Sequence, residues 1–509
     1  MKTKLLISLL LTLSALASDW REKTPIPVFE KNPAYVDLYW KAWETAYKRV
    51  KGQPGIPHTP YMDEACWDSH VWIWDTAFMA FFTKYSAEDF PGIETLKNFY
   101  LPMFGQHKGP TLRIQHPDNP PLFAWCEYAN WKFNKATSFG KGKEAAKQSL
   151  SYMKKYYQWF NKTPKKVSFG GSGTHFSRVN KSDGSLKGFR WSGVASGMDN
   201  TVRGRGAGWG KTLWLDAISQ QALAALYISR MAKDLKDQKT AVEYKKIYAK
   251  LKKTINELYW DEEEGVYYDI HQDSTVENKR FVKVLTPASV WPMLAEVASK
   301  KQAKSIAQIL NDPKKLGGDH PIVTLSRDDP QFNAETGNYW RGGIWMPTSY
   351  MTLKALQTYK MHKLANELSE RTVKMMLDTY NNKEASKHFG GKSTIWECYN
   401  PTADLPSTEH GKIARPEFCG WSALGPISLF IENVIGIQNV DARKKKLDWR
   451  LHQKGKHGLK NFRFGEIITD LIYANGQVKV QSNKAYRLRI NGKIYKVKKG
   501  YNRFRVERT

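Results

Sequence analysis

From about residue 36 to residue 436 the chain alternates long amphipathic stretches with connections rich in Gly, Pro, Asn and Asp. Apolar residues recur at helical spacing over 212–233, 241–258, 287–300, 344–359, 363–380 and 422–435, with earlier stretches at 34–50, 120–136 and 143–160, so about ten to twelve helices are expected. Short turns alternate with long polar loops. That rhythm favours helix pairs arranged around a centre over an up-and-down bundle. The long loops then gather at one end, where a rigid scaffold presents functional groups.

After residue 440 the period changes from helical to two. Residues 477–481 and 486–497 alternate apolar with basic positions, and Asn491-Gly492 stands where a two-residue hairpin turn belongs. The expected organisation is a largely helical region over 19–440 and a small β-domain over 441–509.

With 41% hydrophobic and 13% aromatic residues among 509, the chain has the material for a large core and is not disordered. The net charge of +30 is uneven: residues 441–509 hold 20 Lys and Arg against 5 Asp and Glu, half of the excess. Such a tail suits an anionic polymer, for instance a sulfated or uronate-rich glycan, and equally a plain solvated surface. No nucleic-acid module is recognisable. Lys2 and Lys4 precede an apolar run from Leu5 to Leu16 that ends in small residues at Ser18. This reads as a cleaved export signal, too short to span a bilayer, which puts the mature chain in a periplasm or outside the cell with no membrane partner. Cys66, Cys126, Cys398 and Cys419 lack the spacing of a thiolate metal site. Disulfides and buried free thiols both remain open for them.

Tryptophans crowd the expected loops: Trp67, Trp72 and Trp74 with Asp68 and Asp75, Trp191 ahead of Asp199, Trp340 and Trp345 around Arg341, Trp396 beside Glu397, and Trp421. Any one of these taken alone is better explained as core. Their repeated pairing with carboxylates and Arg in Gly-rich context points instead to a sugar pocket, where indole faces meet sugar rings and polar groups take the hydroxyls. Glycoside hydrolysis needs two carboxyl groups across the scissile bond, one protonated and one ionised. Asp199, reached through a flexible Ser-Gly pair, and Glu397, flanked by aromatics, are the two carboxylates in unusual loop settings.

The strings WIWDTAF (72–78), SGMDNTVR (196–203), YWRGGIW (339–345), WECYNP (396–401) and FCGWSAL (418–424) occur in this order. Together they resemble glycoside hydrolase family 63 and its mannosylglycerate hydrolase-like and trehalase-like relatives over roughly residues 60–435. The resemblance implies an (α/α)6 toroid with a pocket at one end, and exo-acting hydrolysis of a terminal α-linked sugar, of α-glucoside or α-mannoside type, with inversion. It makes Asp199 the general acid and Glu397 the general base. It assigns substrate binding to Trp74, Asp75, Gln115, Tyr339, Trp340, Arg341, Gly342, Trp345 and Trp421. The expected substrate is an oligosaccharide or polysaccharide, and neither cofactor nor metal is called for. The chain departs from its relatives in carrying Ala195 where they have Glu, Val202 where they have Pro, and Cys398 where Asn is usual. Losing a carboxylate beside the acid puts the identity of the sugar in doubt.

Two other readings share the scaffold. A polysaccharide lyase acting on acidic glycan would fit the basic balance, although His116, His320 and His410 share no motif for its base. A non-catalytic glycan-binding protein would need neither Asp199 nor Glu397.

Overall fold

The computed structural model describes residues 20–64, 69–114, 117–162, 165–167, 174–204 and 209–506. The expected export signal, together with Gln115, His116, Cys66, Trp67 and Asp68, lies outside the described residues.

Twelve helices among the described residues form six pairs, each an outer helix followed by an inner one. The outer members are α1 (Ala34–Tyr47), α3 (Lys97–Met103), α5 (Lys143–Asn161), α7 (Gln238–Leu258), α9 (Lys300–Asn311) and α11 (His362–Asn381). The inner members are α2 (Ile73–Thr83), α4 (Phe123–Asn134), α6 (Leu215–Asp234), α8 (Trp291–Leu294), α10 (Met346–Thr358) and α12 (Gly425–Ile435), the last wound as a wider π-helix. Each inner helix packs on the next, and α12 closes the ring against α2. This is an (α/α)6 toroid.

Composition sorts the two rings. In α5 one face buries Leu150, Met153, Tyr156, Tyr157 and Phe160 while Lys and Gln residues face water, the pattern of a surface helix. By contrast α2 reads IWDTAFMAFFT and every residue of it is buried, as is every residue of α8 and α12. A helix that is apolar all round is stable only when surrounded by protein. Phe78, Phe81 and Phe82 on α2 each contribute about 1.5–3 kcal/mol by burial, and truncating Phe81 to Ala would cost roughly 3–5 kcal/mol.

The expected helices 34–50, 120–136, 143–160, 212–233, 241–258, 344–359, 363–380 and 422–435 all have counterparts. Two readings need correction. Residues 287–300 do not form one helix: a 3-10 turn and the single turn of α8 end at Glu296, whose φ of 57° breaks the run. Helix α9 begins where that stretch was expected to end, because Ser299 and Gln302 form a reciprocal capping box. Likewise Trp74 and Asp75 are not loop residues but the first turn of α2.

Downstream, β2 (Ile437–Asp441), β3 (Lys446–Trp449), β7 (Tyr486–Ile490) and β8 (Lys493–Val497) form one sheet in that order, with β3 and β7 parallel. A second sheet has the order β1 (Ile26–Phe29), β4 (His457–Phe464), β5 (Ile467–Ala474), β6 (Gln477–Ser482) and β9 (Gly500–Arg505). The β7–β8 hairpin turns through Asn491 and Gly492 with φ of 45° and 95°, the pair of positive values a type I′ turn requires. The sheets reach beyond 441–509, since β2 starts at Ile437 and β1 comes from the amino-terminal segment. Trp449 donates its indole N–H to the carbonyl of Ile435 at 2.8 Å, and Phe462 packs on Tyr85 and Phe133. These contacts seat the sheets against the carboxyl-terminal ends of the inner helices. No helix among the described residues is long and apolar enough to cross a membrane.

Candidate active site

At the opposite, amino-terminal ends of the inner helices the loops converge on a cavity of about 150 Å³. Trp72, Trp74 and Asp75 enter it from the start of α2, and Asn119 precedes α4. Asp199 precedes α6, Tyr339, Trp340 and Trp345 precede α10, and Glu397 and Trp421 precede α12. Five helix starts pointing one way supply partial positive charge beneath these carboxylates.

The Asp199 loop is held by its neighbours in sequence. Ser192 caps the short helix Gly193–Ser196, and Gly197 ends it with φ of 78°. A Cβ on Gly197 would lie 2.3 Å from the Trp74 ring, so only glycine both makes this turn and lets the indole close on the backbone. Asn200 staples the loop to the one before α10. Its side chain accepts from the Trp340 N–H at 2.8 Å and donates to the Asn338 carbonyl at 3.0 Å, while its own carbonyl accepts from Arg341 Nε at 3.2 Å. Below, the buried Arg203 forks onto Asp216 at 2.6 Å and Asp269 at 2.7 Å and lies over Trp214. That triad anchors the far end of the SGMDNTVR string.

Glu397 sits in a tighter cage. Its backbone N–H donates to the Arg415 carbonyl, and its own carbonyl accepts from the Trp421 indole at 3.1 Å and the Ser422 hydroxyl at 3.1 Å. On the carboxylate, Oε1 accepts from the Tyr339 hydroxyl at 2.9 Å and from Arg415 Nη1 at 2.8 Å. Arg415 also lies 3.8 Å from Glu409, which is carried on the hairpin of Thr408–Glu409 and Lys412–Ile413. The aromatic wall is continuous. Trp340 and Trp345 stack at 4.0 Å, and Trp74 and Trp421 close on them at 5.4–5.8 Å.

The two central carboxyl groups share a cavity but not an environment. Asp199 is accessible from the cavity yet crowded by protein on every side. Enclosure, with the charges of Glu397 and Glu409 adding to it, pushes its carboxyl up to about 8 against the pull of Arg415. Burial also raises Glu397, but Arg415 and the Tyr339 hydroxyl oppose the shift by direct contact. Asp75 is driven well above the usual range by burial and by Glu64. Among the described residues no group of three or more His, Cys, Asp or Glu is arranged to hold a metal ion.

Of the substrate-binding residues expected from the sequence, Trp74, Asp75, Tyr339, Trp340, Trp345 and Trp421 line the cavity with Asp199 and Glu397. Arg341 and Gly342 do not. Arg341 is turned to the Asn200 backbone, and Gly342, at φ of 146°, passes so close to Phe332 that its role is to let the loop fold. The sequence reading missed Asn119, Glu409 and Arg415 as wall residues. Asn119 donates to the carbonyls of Val194 and Ala195 at 3.2 and 3.1 Å, so it steadies the backbone just ahead of the Asp199 turn. The His410-Gly411 pair, both at positive φ, was the available signal for a hairpin presenting Glu409. Cys126, Cys398 and Cys419 are buried free thiols.

The profile of the mannosylglycerate hydrolase MGH1-like glycoside hydrolase domain matches residues 114–411, more than half of the chain. The chain belongs to this family. It is therefore a glycoside hydrolase of the family 63 type. An uncharacterized protein of Borreliella burgdorferi is 25% identical over 491 residues, which is 90% of this chain and 92% of that one. The mannosyl-oligosaccharide glucosidase of Saccharomyces cerevisiae is 26% identical over 313 residues, 58% of this chain and 35% of the yeast protein, so this chain matches only about a third of that enzyme. Among solved structures a sialidase superposes with a TM-score of 0.66 at 15% identity, covering 96% of this chain and 41% of the other. The GH63 mannosylglycerate hydrolase of Thermus thermophilus superposes with a TM-score of 0.54 at 16% identity, covering 77% of this chain and 99% of the other. These structures share the fold.

Proposed function

We propose that this chain is an exported, exo-acting α-glycosidase that removes a terminal α-linked sugar with inversion of configuration. The observation that carries the reading is the unlike setting of two carboxyl groups in one small cavity. Asp199, at about 8, holds its proton at neutral pH and faces the cavity, which suits a general acid for the glycosidic oxygen. Glu397 is the member in contact with a guanidinium and a phenol, which favour its ionised form and fix its orientation. It takes the proton of a water that attacks the anomeric carbon from the face opposite the leaving oxygen. The glycosidic bond breaks as the new C–O bond forms, and the proton of Asp199 leaves with the aglycone.

A cavity of about 150 Å³ is smaller than the roughly 300–1,000 Å³ of sites for drug-sized ligands. That size favours a single terminal sugar over a chain threaded through the site. Relatives named as a mannosyl-oligosaccharide glucosidase and mannosylglycerate hydrolases support an α-glucoside or α-mannoside. The basic β-rich region is compatible with a glycan that bears anionic groups. The apolar run that ends at Ser18 supports a periplasmic or secreted location.

The test is turnover of α-glucosides, α-mannosides, α-galactosides and uronate-rich oligosaccharides with the first product anomer read by proton NMR, beside Asp199→Asn and Glu397→Gln. A β-anomer formed first, and lost in both variants, is the expected result. An α-anomer formed first, an unsaturated product absorbing in the ultraviolet, or turnover that survives both substitutions would overturn the reading.

A further inference from the structure

A second and larger cavity, about 540 Å³, lies at the other end of the toroid, between the carboxyl-terminal ends of the inner helices and the sheets that cover them. Aromatic rings of Trp125, Tyr128, Tyr227 and Tyr350 form part of its wall, and seven Lys and Arg side chains line it against three carboxylates. The carboxylates are already engaged. Glu432 is held by Lys84 at 2.9 Å and Lys354 at 2.7 Å, Glu296 by Arg230 at 2.6 Å, and Asp448 by the Asn439 amide at 3.2 Å.

Besides the exposed Lys360, two partly buried cations in this wall have no counterion among the described residues. Lys132, in the last turn of α4, makes no hydrogen bond or ion pair with the described residues. Asp441, the carboxylate that acts on it, is taken bidentately by Arg443 at 3.0 and 3.1 Å. Among the described residues the one side-chain hydrogen bond of Arg450 is to the ring of His362, at 3.4 Å, and its Nε is buried with no hydrogen-bond partner, as is Oε1 of Gln438 in the same wall. The carbonyl ends of the inner helices favour cations here, but that attraction is smaller than the cost of withdrawing an unpaired ion from water. Burial lowers the Lys132 ammonium to about 8, so it carries its charge at neutral pH with little to balance it.

We propose that this cavity is a binding site for a small anionic ligand, a phosphate, sulfate or carboxylate on a sugar-sized body, for which Lys132 and Arg450 supply the countercharge. The planar guanidinium pairs with two oxygens of such a group, the ammonium with a third, and the aromatic wall covers the body of the ligand. The site is separate from the carboxylate cavity, and the proposal does not depend on which sugar is hydrolysed there.

The experiment is calorimetric titration of the whole chain with inorganic phosphate, inorganic sulfate, glucose 6-phosphate and glucuronate, at ionic strength held constant with chloride. Saturable binding of one anion per chain, weakened tenfold or more in Lys132→Met and Arg450→Gln and unchanged in Asp199→Asn and in the exposed Lys239→Met, is the expected result. The ranking of the four probes separates free oxyanion from anionic sugar. Acetylation read by mass spectrometry gives a measurement without substitutions: saturating anion shields Lys132 and leaves Lys239 reactive. Absence of saturation, loss of binding in Lys239→Met or Asp199→Asn to the same degree, or no shielding of Lys132 would overturn the proposal.

Discussion

The two ends of the toroid are built on the same inner helices and carry opposite chemistry. Among the described residues, the cavity wall at the amino-terminal ends holds Asp75, Asp199, Glu397 and Glu409 against the single cation Arg415. At the carboxyl-terminal ends it holds seven cations against three carboxylates. Each set complements the helix ends it faces, carboxylates over free N–H groups and cations over free carbonyls. The energetics differ more than the signs. Glu432, at the basic end, is pulled down to about 2 because Lys354 and Lys84 overcome its burial, whereas Asp199 is pushed up by its enclosure and by the charges of Glu397 and Glu409, which outweigh the pull of Arg415. At the basic end the charges of Glu432, Lys84 and Lys354 neutralise each other. The other end holds a proton donor in a setting that costs stability.

If that contrast is the basis of function, substitutions at the acidic end should remove activity and spare the fold. Asp199→Asn and Glu397→Gln are each expected to lower kcat/KM by on the order of 10²–10⁴-fold, with unchanged circular dichroism. Equal activity in either variant would break the assignment of acid and base.

At the basic end the effect should fall on stability. Glu432→Gln leaves the Lys84 and Lys354 ammonium groups facing a neutral amide and should cost about 3–5 kcal/mol, read by urea denaturation. The sign of its pH dependence follows from the folded value of about 2 against the ordinary 4.5. The stabilisation is complete above about pH 4.5 and is lost as pH falls towards 2. A variant as stable as the parent at pH 7 would mean that the cluster contributes nothing.

Much of this architecture was legible in the sequence, and the exceptions have physical causes. Amphipathic outer helices announce themselves by periodicity, as α5 and α7 do. An inner helix such as α2 has none, because protein surrounds it on every side, and its Trp74 and Asp75 passed for loop residues. The pair Asp199 and Glu397 stood out by setting, yet their juxtaposition across 198 residues depends on ring closure, which no local pattern encodes. Arg415 and Glu409 escaped notice because a lone Arg after a hairpin has no signature until the chain folds it onto a carboxylate. The basic cavity was wholly hidden: Lys132 and Arg450 are 318 positions apart, on a helix and beside a sheet.

A smaller effect probes the cage around the base. Arg415→Gln removes the contact that draws Glu397 back towards the ionised form. The acidic limb of the pH–rate profile should move upward. The basic limb should rise with it, because Arg415 also pulls on Asp199; an acidic limb that stayed in place would break the assignment of Glu397 as the base.

The smallest expected effect is also the most direct test of the contrast between the two ends. In the folded chain Asp199 titrates near 8, against 3.8 for the free side chain, so the folded state binds this proton more tightly than the unfolded one. Its contribution is therefore neutral below about pH 4 and increasingly unfavourable as pH rises towards 8. Asp199→Asn replaces the group with one that never ionises. Its melting temperature should match the parent at pH 4 and exceed it by a few degrees at pH 8, the gain kept modest because the carboxyl is accessible from the cavity. Glu432→Gln should show the opposite trend, with its deficit shrinking in acid. A loss of stability at pH 8 in Asp199→Asn would show that the carboxylate is held by favourable contacts rather than kept protonated by its enclosure, and the acidic end would then differ from the basic end in sign alone.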